Sequence, residues 1–139
     1  MPTANVNVLA VLVAALLTFV LGAFWYSPVL FARQWMQAQG YTPDKVQEMK
    51  KKGMTRAYAV SVLCYVVTAY VVALLAGYTN STTLAQGLWL GFLCWLGFAA
   101  TIGLAANMFS EKPFAAWVID AGYQLAYLVI MSVLLSLWR

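Results

Sequence analysis

Residues 21–56 read LGAFWYSPVLFARQWMQAQGYTPDKVQEMKKKGMTR, and the chain is organised around this stretch. Its first half ends a long apolar run, and its second half holds most of the charge. Pro28 lacks an N–H and disfavours helical backbone at Ser27, so the apolar helix ends there. Trp25 and Tyr26 then fall where an aromatic belt meets the headgroups. Beyond the break, Val29, Leu30, Phe31, Trp35 and Met36 alternate with Arg33, Gln34 and Gln37. That pattern predicts a short amphipathic helix lying in the membrane interface. Gly40 stops it. Thr42 as cap and Pro43 at the first helical position start a second, polar helix, which Gly53 closes. Glu48 and Lys52 lie one turn apart on it and can pair.

The composition names the solvent. Of 139 residues, 64% are hydrophobic and 9% charged, and the mean hydropathy is +0.80. A soluble domain carries roughly 25% charged residues, so lipid must cover most of this surface. About 20 apolar residues cross a bilayer. The runs 6–26, 57–78, 84–108 and 114–138 meet that length. The expectation is one all-α integral membrane domain of four transmembrane helices, with the interfacial and polar helices between the first two. The first run reads as a retained span: no basic residue precedes it, and it is too long for a leader.

Charge orients the bundle. Arg33, Lys45, Lys50, Lys51, Lys52 and Arg56 all lie in the segment 28–56 or at its edge, whereas the turn near Asn80 is uncharged. The positive-inside rule makes 28–56 cytoplasmic and both termini external. The net charge of +4 is gathered in this one loop, which argues against a nucleic-acid partner. Cys64 and Cys94 sit inside apolar runs at no metal spacing. There is no histidine, so the commonest metal ligand and general base are missing. No metal site and no cofactor are expected.

Small residues mark helix contacts. Ala10, Ala14, Thr18 and Gly22 repeat every four residues on the first span, and Ser61, Ala69, Ala73 and Gly77 share a face of the second. The third carries Gly87 and Gly91 as a GxxxG, with Gly103 near the same face. Such stripes let helix backbones approach closely. Three stripes exceed what one four-helix bundle needs. A spare one would serve a homo-oligomer or a contact with another membrane protein.

The order LGAFWYSPVLFARQWM, GMTRAYAVS, LCWLGFAAT, NMFSEKP and IDAGYQL resembles the bacterial membrane family called domain of unknown function 1761. The likeness spans essentially the whole chain, and WYSP-x-LF-x-x-x-W is its most specific element. It implies a small four-span membrane protein and implies no activity; the expected location is the bacterial inner membrane.

An ionisable residue within a span is a functional candidate, and Asp120 is the one here. It lies about 10 Å into the fourth span at ~1.5 Å per residue. Ala116, Asp120, Gln124 and Tyr127 share a face that should look into the bundle. Tyr26, Arg56, Tyr58 and Asn107 fall at a similar depth, completing a polar cluster. Arg56 is the expected ion-pair partner of Asp120, direct or through Asn107. The cluster reads either as an internal lock or as a ligand site. One carboxylate without histidine or a second acid is thin for catalysis. The expected function is a non-catalytic structural or interaction protein. The alternative is a small transporter or channel using Asp120, though Thr18, Thr68 and Thr101 are its only deep polar groups.

Overall fold

The computed structural model describes residues 4–139 and contains only helices and turns there. Helix α1 spans Val8–Trp25, α2 Ala32–Gln39, α3 Pro43–Lys52 and α4 Thr55–Tyr78. The third span is continuous but irregular: α5 (Leu84–Cys94), a π-helical segment (Trp95–Ala100) and α6 (Thr101–Phe109). Helix α7 covers Phe114–Leu137. Four of these units are long and apolar enough to cross a membrane, which makes this a multi-pass membrane protein. The expected spans differ from the helices by a residue or two at their ends.

Local chemistry sets the boundaries. The Asn7 side chain caps α1 by accepting from the Ala10 N–H at 3.1 Å, and Thr42 caps α3 by accepting from Lys45 at 3.2 Å. Thr83 and Gln86 form a reciprocal capping box on α5. Gly40 ends α2 at φ 74°, and Gly53 ends α3 at φ 77°, ψ 157°. The second conformation is open essentially to glycine alone.

Helix α7 is the hub. It packs against α1, α2, α4, α5 and α6, and 39% of its most apolar window is buried, against 17% for the third span. The core joins Ala10, Val11 and Ala14 of α1, Ala69, Val72 and Ala73 of α4, and Leu128, Met131 and Leu135 of α7. The third span packs chiefly on α7. A Cβ on Gly87 or Gly91 would lie 2.7 Å from the Cα of Val133 or Val129. Gly103 faces the Trp117 ring, which a Cβ would meet at 3.6 Å. The small-residue stripes therefore serve contacts within the chain. The expectation of a spare stripe is corrected, because small residues let four helices close around one another without bulky knobs.

The ends of the bundle differ in chemistry. One gathers residues 4–7, the turn after α4 and Arg139, whose guanidinium donates to the Ala76 carbonyl. The other gathers α2, α3 and the turn at Glu111–Lys112, tied by a Lys112–Gln39 hydrogen bond. Of eight Lys and Arg residues, all but Arg139 lie at that second end.

Candidate functional site

The Ser27–Pro28 break reverses the chain tightly. Ser27 Oγ donates to the Phe24 carbonyl at 2.6 Å. The Phe31 N–H returns to the Trp25 carbonyl at 3.0 Å, and the Ala32 N–H to Ser27 at 3.1 Å. The Trp25 and Phe31 rings meet at 5.0 Å. The turn lays α2 back across α7.

Three aromatic side chains of the WYSP-x-LF-x-x-x-W element then clasp one turn of α7. Tyr26 Oη donates to Asp120 Oδ1 at 2.6 Å, and Trp35 Nε1 donates to the same oxygen at 2.9 Å. Trp25 Nε1 donates to the Ile119 carbonyl at 3.0 Å. The Trp25 ring covers Gly122, where a Cβ would come within 3.1 Å of it. From the far side of α7, Trp95 Nε1 donates to the Ala121 carbonyl at 2.8 Å. Each carbonyl has a second lone pair, so an indole can bind without breaking the helix ladder. Tyr123 Oη donates to the Thr18 carbonyl at 2.8 Å and occupies the space a Gly22 side chain would need, 2.7 Å from its ideal Cβ. The two stretches WYSP…W and IDAGYQL are thus partners in space.

The carboxylate is held by neutral donors. Two hydrogen bonds to one charged oxygen are each stronger than a neutral pair would be, and they lower the cost of a carboxylate in the membrane. The expected Asp120–Arg56 pair is not formed. Arg56 is exposed at the start of α4, and the ion pair among the described residues is Lys52–Glu48 at 3.8 Å. The indole and phenol reach Oδ1 because the chain reversal delivers them there. Asn107 is buried but belongs elsewhere: its Nδ2 donates to the Pro113 carbonyl at 3.3 Å, tying α6 to the start of α7. Gln124 is half-buried and Tyr58 exposed, its ring edge-on to Phe19 at 5.9 Å. The structure therefore brings together Asp120 and Tyr26 of the anticipated cluster, and adds Trp35, Trp25 and Tyr123. The signal that could have found Trp35 is its N–H, which seeks an acceptor whenever an indole is buried.

Beside this clasp lies a cavity of about 790 Å³ between α1, α2, α3 and α4. Phe19 and Tyr65, the lining residues farthest into α1 and α4, mark its deep end, Tyr26 and Trp35 form one wall, and Met49 and Lys50 of the arm its mouth. The volume falls in the range of small-molecule sites, about 300–1,000 Å³. The three deep hydroxyls that were the only candidates for a polar path are engaged locally. Thr18, Thr68 and Thr101 each donate at 2.9 Å to a carbonyl of their own helix, those of Ala14, Cys64 and Gly97.

Comparison with curated proteins and with solved structures finds no match. Comparison with protein-family models matches residues 9–136 to the family described as "Protein of unknown function (DUF1761)". That match covers nearly the whole chain, including both halves of the aromatic clasp, and the protein belongs to the DUF1761 family.

Proposed function

We propose that the protein is a non-catalytic, membrane-embedded binding protein that holds one amphipathic, largely apolar molecule in the cavity between α1, α4 and the α2–α3 arm. The observation that carries this reading is the cavity itself, apolar and aromatic inside with one cation at its mouth. Asp120 then acts as a positioning group: through Tyr26 and Trp35 it fixes the wall of the cavity. No second acid or activated nucleophile stands beside it, so the clasp favours holding over chemistry. The protein resides in the bacterial inner membrane, with the lysine-rich end cytoplasmic and both termini external, an orientation the charge asymmetry supports. Native mass spectrometry of the full chain extracted from its membrane tests the reading. The wild type should retain one amphiphile and Ala23→Phe, which puts a bulky ring into the cavity lining, markedly less. Identical retention by both would end this reading.

A second reading, an interaction protein within a homo-oligomer or a larger membrane complex, is favoured by the third span. It packs chiefly on α7 and leaves Trp89, Phe98 and Ile102 exposed. Particle mass in nanodiscs decides it: a monomer mass with no co-purifying protein argues against it.

A further inference from the structure

The slot has a polarity and a length. Helix α3 turns Val46, Met49 and Lys50 toward it, two apolar residues and one cation at helical spacing. Along α4 the lining runs from Met54 to Tyr65. That is about 16 Å at ~1.5 Å per residue, close to the ~15 Å of one leaflet's hydrocarbon. The mouth thus sits at headgroup level when the deep end reaches the bilayer midplane. Among the described residues, Lys50 is the one Lys, Arg, Asp or Glu side chain lining the slot, whose uncharged polar lining includes Tyr41, Tyr58 and Ser61. Asp120 does not line it; the carboxylate stands behind Tyr26 and Trp35, whose donors it already accepts. A cationic amphiphile would therefore find no anion there, while an anionic one finds Lys50. Lys45 and Lys51 share α3 with it, and after Asp44 and the Lys52–Glu48 pair are counted the helix still carries a net +2, a basic segment of the kind that attracts acidic lipids.

Building on the binding reading above, we propose that the slot seats one acidic phospholipid of the leaflet at the basic end. Its phosphate lies at Lys50 and one acyl chain runs inward past Met54 and Phe19 to Tyr65. The α2–α3 arm forms the outer wall, with Met36, Val46 and Met49 against the chain.

The test reconstitutes the full chain in vesicles of equal phosphatidylglycerol and phosphatidylcholine with matched acyl chains. After extraction in mild detergent, native mass spectrometry counts the lipid retained. The wild type should keep one phosphatidylglycerol, preferred about fivefold or more, the effect of one lysine near a membrane surface. Lys50→Gln should keep one phospholipid without preference, and Lys50→Arg should restore the preference. Lys51→Gln changes the net charge equally but lies outside the slot, and should keep it. Equal retention of both lipids by the wild type overturns the acidic-lipid inference and leaves the binding reading standing. So does an unchanged preference in Lys50→Gln, or a free fatty acid retained in place of phospholipid. Retention of no lipid by any variant overturns both.

Discussion

At the scale of single residues, Asp120 concentrates the strain of placing a charge in lipid, and its two donors decide how that strain is relieved. Asp120→Leu would leave the Tyr26 hydroxyl and the Trp35 indole without an acceptor. Each unsatisfied buried donor costs about 1–3 kcal/mol, so losing the acceptor of both should lower stability by roughly 2–6 kcal/mol. Asp120→Asn keeps an acceptor at the same place and loses only charge assistance, so about 1 kcal/mol is expected. Arg56→Gln touches neither donor and should stay within about 0.5 kcal/mol of wild type. Unfolding in mixed micelles measures all three. Should Arg56→Gln cost as much as Asp120→Asn, the assignment of Asp120 to its aromatic donors is wrong.

At the scale of elements, glycines separate helix contacts that cannot yield from positions that can. A Cβ at Gly91 would meet Val129 Cα at 2.7 Å and the Leu128 carbonyl at 2.8 Å, both backbone. Gly91→Ala should therefore push α5 off α7 and cost about 1–3 kcal/mol, the usual range for overpacking. Particle mass should not change, because the contact is within the chain. Gly97 has nothing within 4 Å of its ideal Cβ, so Gly97→Ala should be neutral or gain up to ~1 kcal/mol from helix propensity. Thermal unfolding with light scattering checks the pair, and equal losses would show that the close approach at Gly91 is incidental. Most of the elements are legible in the amino-acid sequence. Four apolar runs have only one solution in lipid, and Gly40, Thr42, Pro43 and Gly53 punctuate the arm by local backbone preference alone. Asp120 stands out because a carboxylate in a span is costly. Its partner does not, because Trp35 lies 85 residues away in sequence, and nothing local says that α2 folds back onto α7. The charge-pairing rule points to Arg56, whereas an indole and a phenol satisfy the carboxylate without bringing a second charge into the membrane. The π segment is also illegible, since no proline marks it.

At the scale of the whole molecule, the lopsided charge is the feature a cell would read. Activity reporters fused after Lys52 and after Glu111 should report cytoplasmic placement, and those after Asn80 and Arg139 external placement. Changing Lys50, Lys51 and Lys52 together to Gln removes three of the eight cations and should yield a mixed population of orientations. External placement at Lys52 in the wild type would reverse the proposed orientation, and with it the leaflet from which the slot draws its lipid.

The π segment at Trp95–Ala100 decides where the third span can lose a residue. The expectation that Gly103 lies near the face of Gly87 and Gly91 fails for a regular helix: at ~100° per residue Gly87 and Gly103 would stand about 160° apart, nearly back to back. Both nevertheless face α7 residues. A wide turn absorbs roughly one surplus residue, about 100°, and swings the two halves to about 60° of each other. The third span is therefore one residue longer than its contacts require, and the surplus is stored at a single place. Deleting Gly97 should let the span run as plain α-helix with Gly87, Gly91, Gly103 and Asn107 still meeting their neighbours. The same deletion two turns earlier or later would turn half of the span's packing surface out to lipid.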